Sequence, residues 1–213
     1  MRAVTRPSLS RKIVSSIDTV KGDLCRALLD WWRLNRRDYP WRRPDVSPYE
    51  VLVAEVLLKR TTATAAARAF VPFISKYDNV ESLARARTEE LVNDLSCIGL
   101  QKQRAKALKE IAVYICEYED CVIPGDIGRL LKIPHVGDYT ARAVLSFAFG
   151  IPVGVVDSNV IRIVQRFFCG LLPDKAGLSI IQAVVDRLVP PDRHREFNWA
   201  LLDFGALVCR YVR

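Results

Sequence analysis

Two carboxylates stand out by their settings. Glu55 lies inside VLVAEVLL, with apolar residues on both sides. A carboxylate in such a run is partly desolvated, which raises its pKa. It could then hold a proton near neutral pH and act as a general acid. The alternative is that it points to solvent from an amphipathic helix. Asp157 follows IPVGVV and precedes VIRIVQRFF. As an N-cap it accepts backbone N–H bonds and feels the helix dipole, which keeps it ionised. A plain structural cap has the same pattern. Two carboxylates with pKa values pushed apart suit acid-assisted cleavage of a glycosidic bond. The acid assists departure of the leaving group. The anion stabilises the cationic sugar or takes part in its capture.

Two tight corners could hold a polyanion. LLKIPHVGDYTARAVL reads as a helix, a hairpin and a second helix. Gly137 allows a sharp turn and close backbone approach. Backbone N–H groups at the start of the second helix could hold a DNA phosphate, although ordinary corners between helices look alike. IGLQKQRAKAL is the second corner, with Gly99 at its turn and Lys102, Arg104, Lys106 and Lys109 nearby. Those charges meet phosphates or form a solvated face.

The elements that must position these residues read as helices throughout. Leu24, Leu28 and Trp31 recur at helical spacing, in a stretch ending near Tyr39-Pro40. Ser47-Pro48-Tyr49-Glu50 carries an N-cap, a first-position proline and the glutamate of a capping box. Further helices are expected at 62–75, 81–95, 101–118, 126–132, 176–188 and 195–208. Another, YTARAVLSFAFG, is closed by Gly150. Only the apolar run 151–156 hints at a strand.

The chain has 213 residues, half of them hydrophobic, enough for one large or two small domains. No apolar run approaches the ~20 residues of a membrane span. The net charge is +8, and residues 1–43 hold eleven Lys/Arg against four Asp. Such a concentration favours a polyanion partner or serves solubility alone. Residues 1–20 read as a disordered basic arm, with a faint likeness to a mitochondrial transit segment. Six scattered cysteines argue against a disulfide framework and for a reducing compartment.

Five motifs in order resemble the endonuclease III / adenine glycosylase superfamily of helix-hairpin-helix DNA glycosylases. They are AEVLLKRTT at 54–62, IGLQKQRA at 98–105, PHVGDYTARAVL at 134–145, VVDSNVIRIV at 155–164 and FNWALLDFGALVC at 197–209. The resemblance implies an all-α fold of two helical subdomains with a DNA-binding cleft between them. One subdomain is drawn from 21–46 plus 155–213. The other is a six-helix subdomain at 47–154, with the helix-hairpin-helix at 126–149.

The same resemblance makes Asp157 the catalytic aspartate, Glu55 the glutamate of the mismatch-directed branch and Asn159 a residue that orients Asp157. Tyr139 stands where bifunctional relatives carry a lysine nucleophile. Without that amine no Schiff base forms there, and strand cleavage should be weak. Lys59-Arg60 replaces the Gln-Gln of the adenine branch, and LLKRTT is similar to the thymine/uracil branch. The implied function is monofunctional removal of thymine or uracil opposite guanine from double-stranded DNA, by a monomer in the cytoplasm, nucleoid or nucleus. DNA contacts are expected from Lys59, Arg60, Thr61, Gly99, Leu100, Gln101, Lys102, Arg104, His135, Val136, Gly137, Asp138 and Thr140. Lys59, Arg60 and Leu100 are candidates to fill the vacated stack or contact the orphan guanine.

Two departures stand out. His135 occupies a position usually held by glycine, and histidine tolerates positive φ better than most residues. Cys209 matches the first of four cysteines that bind an iron–sulfur cluster in many relatives, but only four residues follow it. No cluster or other cofactor is therefore expected, and Cys209 reads as a buried helix residue. The competing readings are an adenine glycosylase without its recognition domain and a non-catalytic DNA-binding module.

Overall fold

A computed structural model describes residues 9–173 and 176–210. Among them are eleven α-helices, one short 3-10 helix at Pro40–Arg42 and no strand. The helices are α1 (Arg11–Asn35), α2 (Pro48–Leu58), α3 (Ala63–Lys76), α4 (Val80–Arg85), α5 (Thr88–Asp94), α6 (Gln101–Tyr118), α7 (Ile127–Leu130), α8 (Asp138–Phe147), α9 (Ser158–Phe167), α10 (Leu178–Leu188) and α11 (His194–Leu207). The all-α class expected from the periodicity is what forms.

The helices gather into two compact units. One is Asp38–Phe149; the other is built from both chain ends, up to Arg37 and from Gly150 onward. The second border falls at 149 rather than 154, and the first differs from residue 46 for a local reason. Trp41 of the 3-10 helix meets the Phe70 ring of α3 edge-on at 5.4 Å, which joins the 38–46 stretch to the first of these units.

Within Asp38–Phe149, α2 packs against α3, α6 and α8. Tyr49 to Leu57 are all buried, so α2 lacks a polar face. Its start is the expected capping box: Ser47 Oγ accepts from Glu50 N at 3.2 Å, and Glu50 Oε2 accepts from Ser47 N at 2.9 Å. The stretch read as one helix at 81–95 is two, α4 and α5, broken at Ala86-Arg87. There Lys109 Nζ donates to the carbonyls of Ala84 and Ala86, accepting groups that helix interruption leaves open. This unit therefore holds seven helices where six were expected.

In the other unit α11 packs against α1 and α9, and α10 against the same two helices. Residues 11–20, read as part of a disordered arm, are the opening turns of α1, capped by Ser10 and anchored by the fully buried Ile17. Positions 1–8 of that arm lie outside the described residues. The cysteines also depart from expectation at one place. Cys116 and Cys121 form a disulfide, because the chain doubles back after α6 through Asp120 (φ 52°) and Cys121 (φ 58°).

Candidate active site

Asp157 caps α9. Its Oδ1 accepts from Val160 N at 2.8 Å, and its Oδ2 accepts from Asn159 Nδ2 at 2.8 Å. Asn159 is fixed in turn by Arg162, whose Nη2 donates to Asn159 Oδ1 at 2.9 Å and to Gly205 O at 2.8 Å. Arg162 Nε reaches Cys209 O at 2.7 Å. Arg162 is buried, one turn along from Asn159, and nothing in the local sequence marked it.

The backbone entering Asp157 is extended but pairs with no strand. Side chains satisfy it instead: Val155 N donates to Asn198 Oδ1 at 3.0 Å, Asn198 Nδ2 to Val153 O at 2.9 Å, and Gly154 N to Asp186 Oδ1 at 2.8 Å. Gln182 Nε2 adds a bond to Gly154 O at 3.0 Å. Buried backbone polar groups need such partners, which explains how a strand-like run ends at the Asp157 cap. These partners lie 28–45 residues away in sequence, so no local pattern announced them.

Glu55 sits in the other unit, on the central helix α2, and is only 6% exposed. Of its two readings, solvent-facing or desolvated, the buried one holds. Lys59 follows one turn later as the C-cap, and its Nζ donates to His135 O at 2.9 Å. Burial holds the Lys59 ammonium below the ordinary lysine pKa, while the charge of Glu55 acts in the opposite direction.

The helix-hairpin-helix is α7, a turn and α8; α7 is shorter than the expected 126–132. His135 takes the left-handed conformation at φ 63°, as its tolerance suggested. Gly137 does not: it is the extended N-cap of α8, and a Cβ there would meet nothing within 4 Å. His135 Nε2 lies 2.5 Å from Glu110 Oε2. Asp138 is exposed and pairs with Arg142 at 2.8 Å, while Tyr139 is half-buried in the first turn of α8. Val136 and Thr140 are buried, so their side chains fill the hairpin rather than face a duplex.

The second corner departs from expectation likewise. Leu100, not Gly99, is left-handed, at φ 63°, and it is the 39% exposed N-cap of α6. Gln101 and Lys102 open α6, and Lys102 is exposed. Arg104 is 4% exposed and turned inward. Its guanidinium donates to Val56 O and Leu57 O at 2.8 Å each, Lys59 O at 2.7 Å and Gly99 O at 2.8 Å. A role on phosphate is thereby corrected: Arg104 caps the C-terminus of α2, whose last carbonyls lack intrahelical donors. Exposed Arg60 (φ 57°) and half-buried Thr61 form the turn between α2 and α3.

Residues 53–177 match the family model described as HhH-GPD superfamily base excision DNA repair protein. The chain belongs to this family. It is 35% identical over 183 residues to a thymine/uracil-DNA glycosylase of Methanothermobacter thermautotrophicus, covering 85% of this chain and 82% of that protein. It is 37% identical to an adenine DNA glycosylase of Mycolicibacterium smegmatis, covering 85% of this chain but 62% of that protein. Among solved structures, a thermostable thymine-DNA glycosylase superposes with a TM-score of 0.85 at 32% identity, covering 91% of this chain and 89% of the other.

As a member of the HhH-GPD family, the protein is a base-excision DNA glycosylase. Among the described residues no group of three or more His, Cys, Asp or Glu that could hold a metal ion occurs. Cys209 lies beyond the end of α11, partly exposed rather than buried in the helix, and its Sγ accepts from Arg166 Nη1 at 3.3 Å.

Proposed function

We propose that this glycosylase removes thymine or uracil mispaired with guanine from double-stranded DNA, leaving an abasic site. The observation that carries the reading is the likeness to the Methanothermobacter thymine/uracil-DNA glycosylase over most of both chains, at 35% identity. The residues support it. Lys59-Arg60 stands in the LLKRTT run, and Tyr139 at the head of α8 offers no amine for a Schiff base.

In this reading the target nucleotide is flipped out of the stack. Glu55, desolvated on α2, delivers a proton to the departing base, which leaves with the electron pair of the N-glycosidic bond. The Asp157 carboxylate stabilises the oxocarbenium-like sugar, held in place by Val160 N and Asn159. Water adds at C1′ and gives up a proton, completing hydrolysis. Tyr139 shapes the pocket, and the hairpin backbone at 135–139 holds a phosphate. An acid and an anion suffice for these steps, so the proposal needs no metal, and chelator should leave the rate unchanged.

The test is base release from end-labelled duplexes holding G:T, G:U, A:G, A:8-oxoguanine or A:T, with and without hot alkali. Alkali-dependent cutting at G:T and G:U is expected, reduced at least ~10²-fold in Asp157→Asn. Cutting only at A:G or A:8-oxoguanine would favour the adenine reading, which the Mycolicibacterium relative represents. Binding without base release from any duplex would make the chain a non-catalytic module.

A further inference from the structure

Besides the turn at Asp120-Cys121, three turns of the Asp38–Phe149 unit each expose a non-glycine residue in the left-handed region: Arg60 after α2, Leu100 before α6 and His135 in the hairpin. Such conformations persist where the surroundings over-determine them. Two cations do that here. Arg104 gathers Val56 O, Leu57 O and Lys59 O with Gly99 O, joining the first turn to the second. The Lys59 amine joins the first turn to the third through His135 O. Glu110 Oε2 on α6 meets the imidazole of that same His135 at 2.5 Å.

Lys59 therefore directs its ammonium at the protein's own backbone. We propose that Lys59 is a positioning residue, fixing the hairpin through the His135 carbonyl rather than contacting phosphate or the orphan guanine. The inference rests on the reading of the hairpin as a phosphate-binding element. The bond reaches the carbonyl of the one left-handed residue in the hairpin, three positions before α8 begins. A small rotation at His135 would re-aim the N–H groups at the head of α8.

The experiment compares wild type, Lys59→Met and Lys59→Arg. Dissociation constants for a G:T duplex and a fully paired duplex are measured over a salt series, and amide exchange at 136–140 is followed without DNA. A lysine on a phosphate contributes about one to the salt slope. The expected result for Lys59→Met is weaker binding to both duplexes by one common factor of about ten, the size of a charge-assisted hydrogen bond. The salt slope stays unchanged, exchange at 136–140 rises, and Lys59→Arg restores both.

A slope lower by about one would overturn the proposal in favour of a phosphate contact. A larger loss on G:T than on paired DNA would replace it with a base contact. Unchanged exchange in Lys59→Met would remove the tether itself. The exchange arm uses free protein, so it stands even if wild type releases no base and the functional reading fails.

Discussion

Asp157 is held by two donors that are not equivalent. The Val160 amide is set by α9, but an asparagine side chain can present either its oxygen or its nitrogen. Arg162 decides the matter: as a pure donor it takes the oxygen of Asn159 and leaves the nitrogen for Asp157. Arg162→Met would release that choice and strip donors from the carbonyls of Gly205 and Cys209. Losing such bonds should destabilise the fold by about 3 kcal/mol, a fall of roughly 6–12 °C in Tm. Single-turnover base release should fall beyond what the folded fraction explains. A calorimetric scan beside a single-turnover assay checks both, and an unchanged rate per folded molecule would reduce Arg162 to a structural strut. Leu100 makes the opposite trade. Left-handed leucine costs about 1–2 kcal/mol, so Leu100→Gly should raise stability by up to about 1 kcal/mol in urea titration. Release from duplex should drop if the exposed leucine fills the vacated stack. Release from single-stranded substrate, which has no stack to fill, should be spared.

Between elements, the contact of α9 against α11 turns on Gly205. A Cβ at that position would stand 2.5 Å from Asn159 Cβ and 3.3 Å from Ile163 Cδ1. Gly205→Ala should therefore cost about 1–3 kcal/mol of stability by overpacking. It should also lower kcat, because the displaced side chain is the one that orients Asp157. Urea titration and steady-state kinetics read the two effects, and a loss of stability with kcat intact would show that α11 yields instead of Asn159. Neither Gly205 nor Arg162 was legible beforehand, since each acts across a helix interface that no local pattern reports. What was legible acts within one turn: the Ser47–Glu50 box, the Asp157 cap, the left-handed tolerance of His135. The single helix read over 81–95 failed for the same reason in reverse, because Lys109 arrives from α6 to take the carbonyls at the break. Arg104 misled through its neighbours: among Lys102, Lys106 and Lys109 it looked like one more surface charge, whereas its fork of donors suits a buried helix end.

At the scale of the whole molecule, the two units should respond to acid at different pH. His194, buried at the start of α11, belongs to the unit built from both chain ends. Burial, and then the charge of Arg195, lowers its pKa below the ordinary 6.5. A depressed histidine stabilises the fold fully above the unfolded value, and that contribution is lost as pH falls from about 6.5 through the folded value. Glu50, in Asp38–Phe149, acts lower. Burial pushes its carboxyl up, but the Ser47 amide and the Arg43 guanidinium outweigh it, and the net pKa lies below 4.5. Its contribution is present above about 4.5 and lost as pH falls through the depressed folded value. Tm plotted against pH should then fall in two stages, one starting near 6.5 and one below 4.5. His194→Gln should flatten the first stage and leave the second. Glu50→Gln should start from a lower Tm, having lost its pairing with Arg43, and show a shallower second stage. A first stage that survives His194→Gln would assign the upper transition to some other group, because the low-shifted carboxylates cannot produce a loss that begins so far above their unfolded pKa.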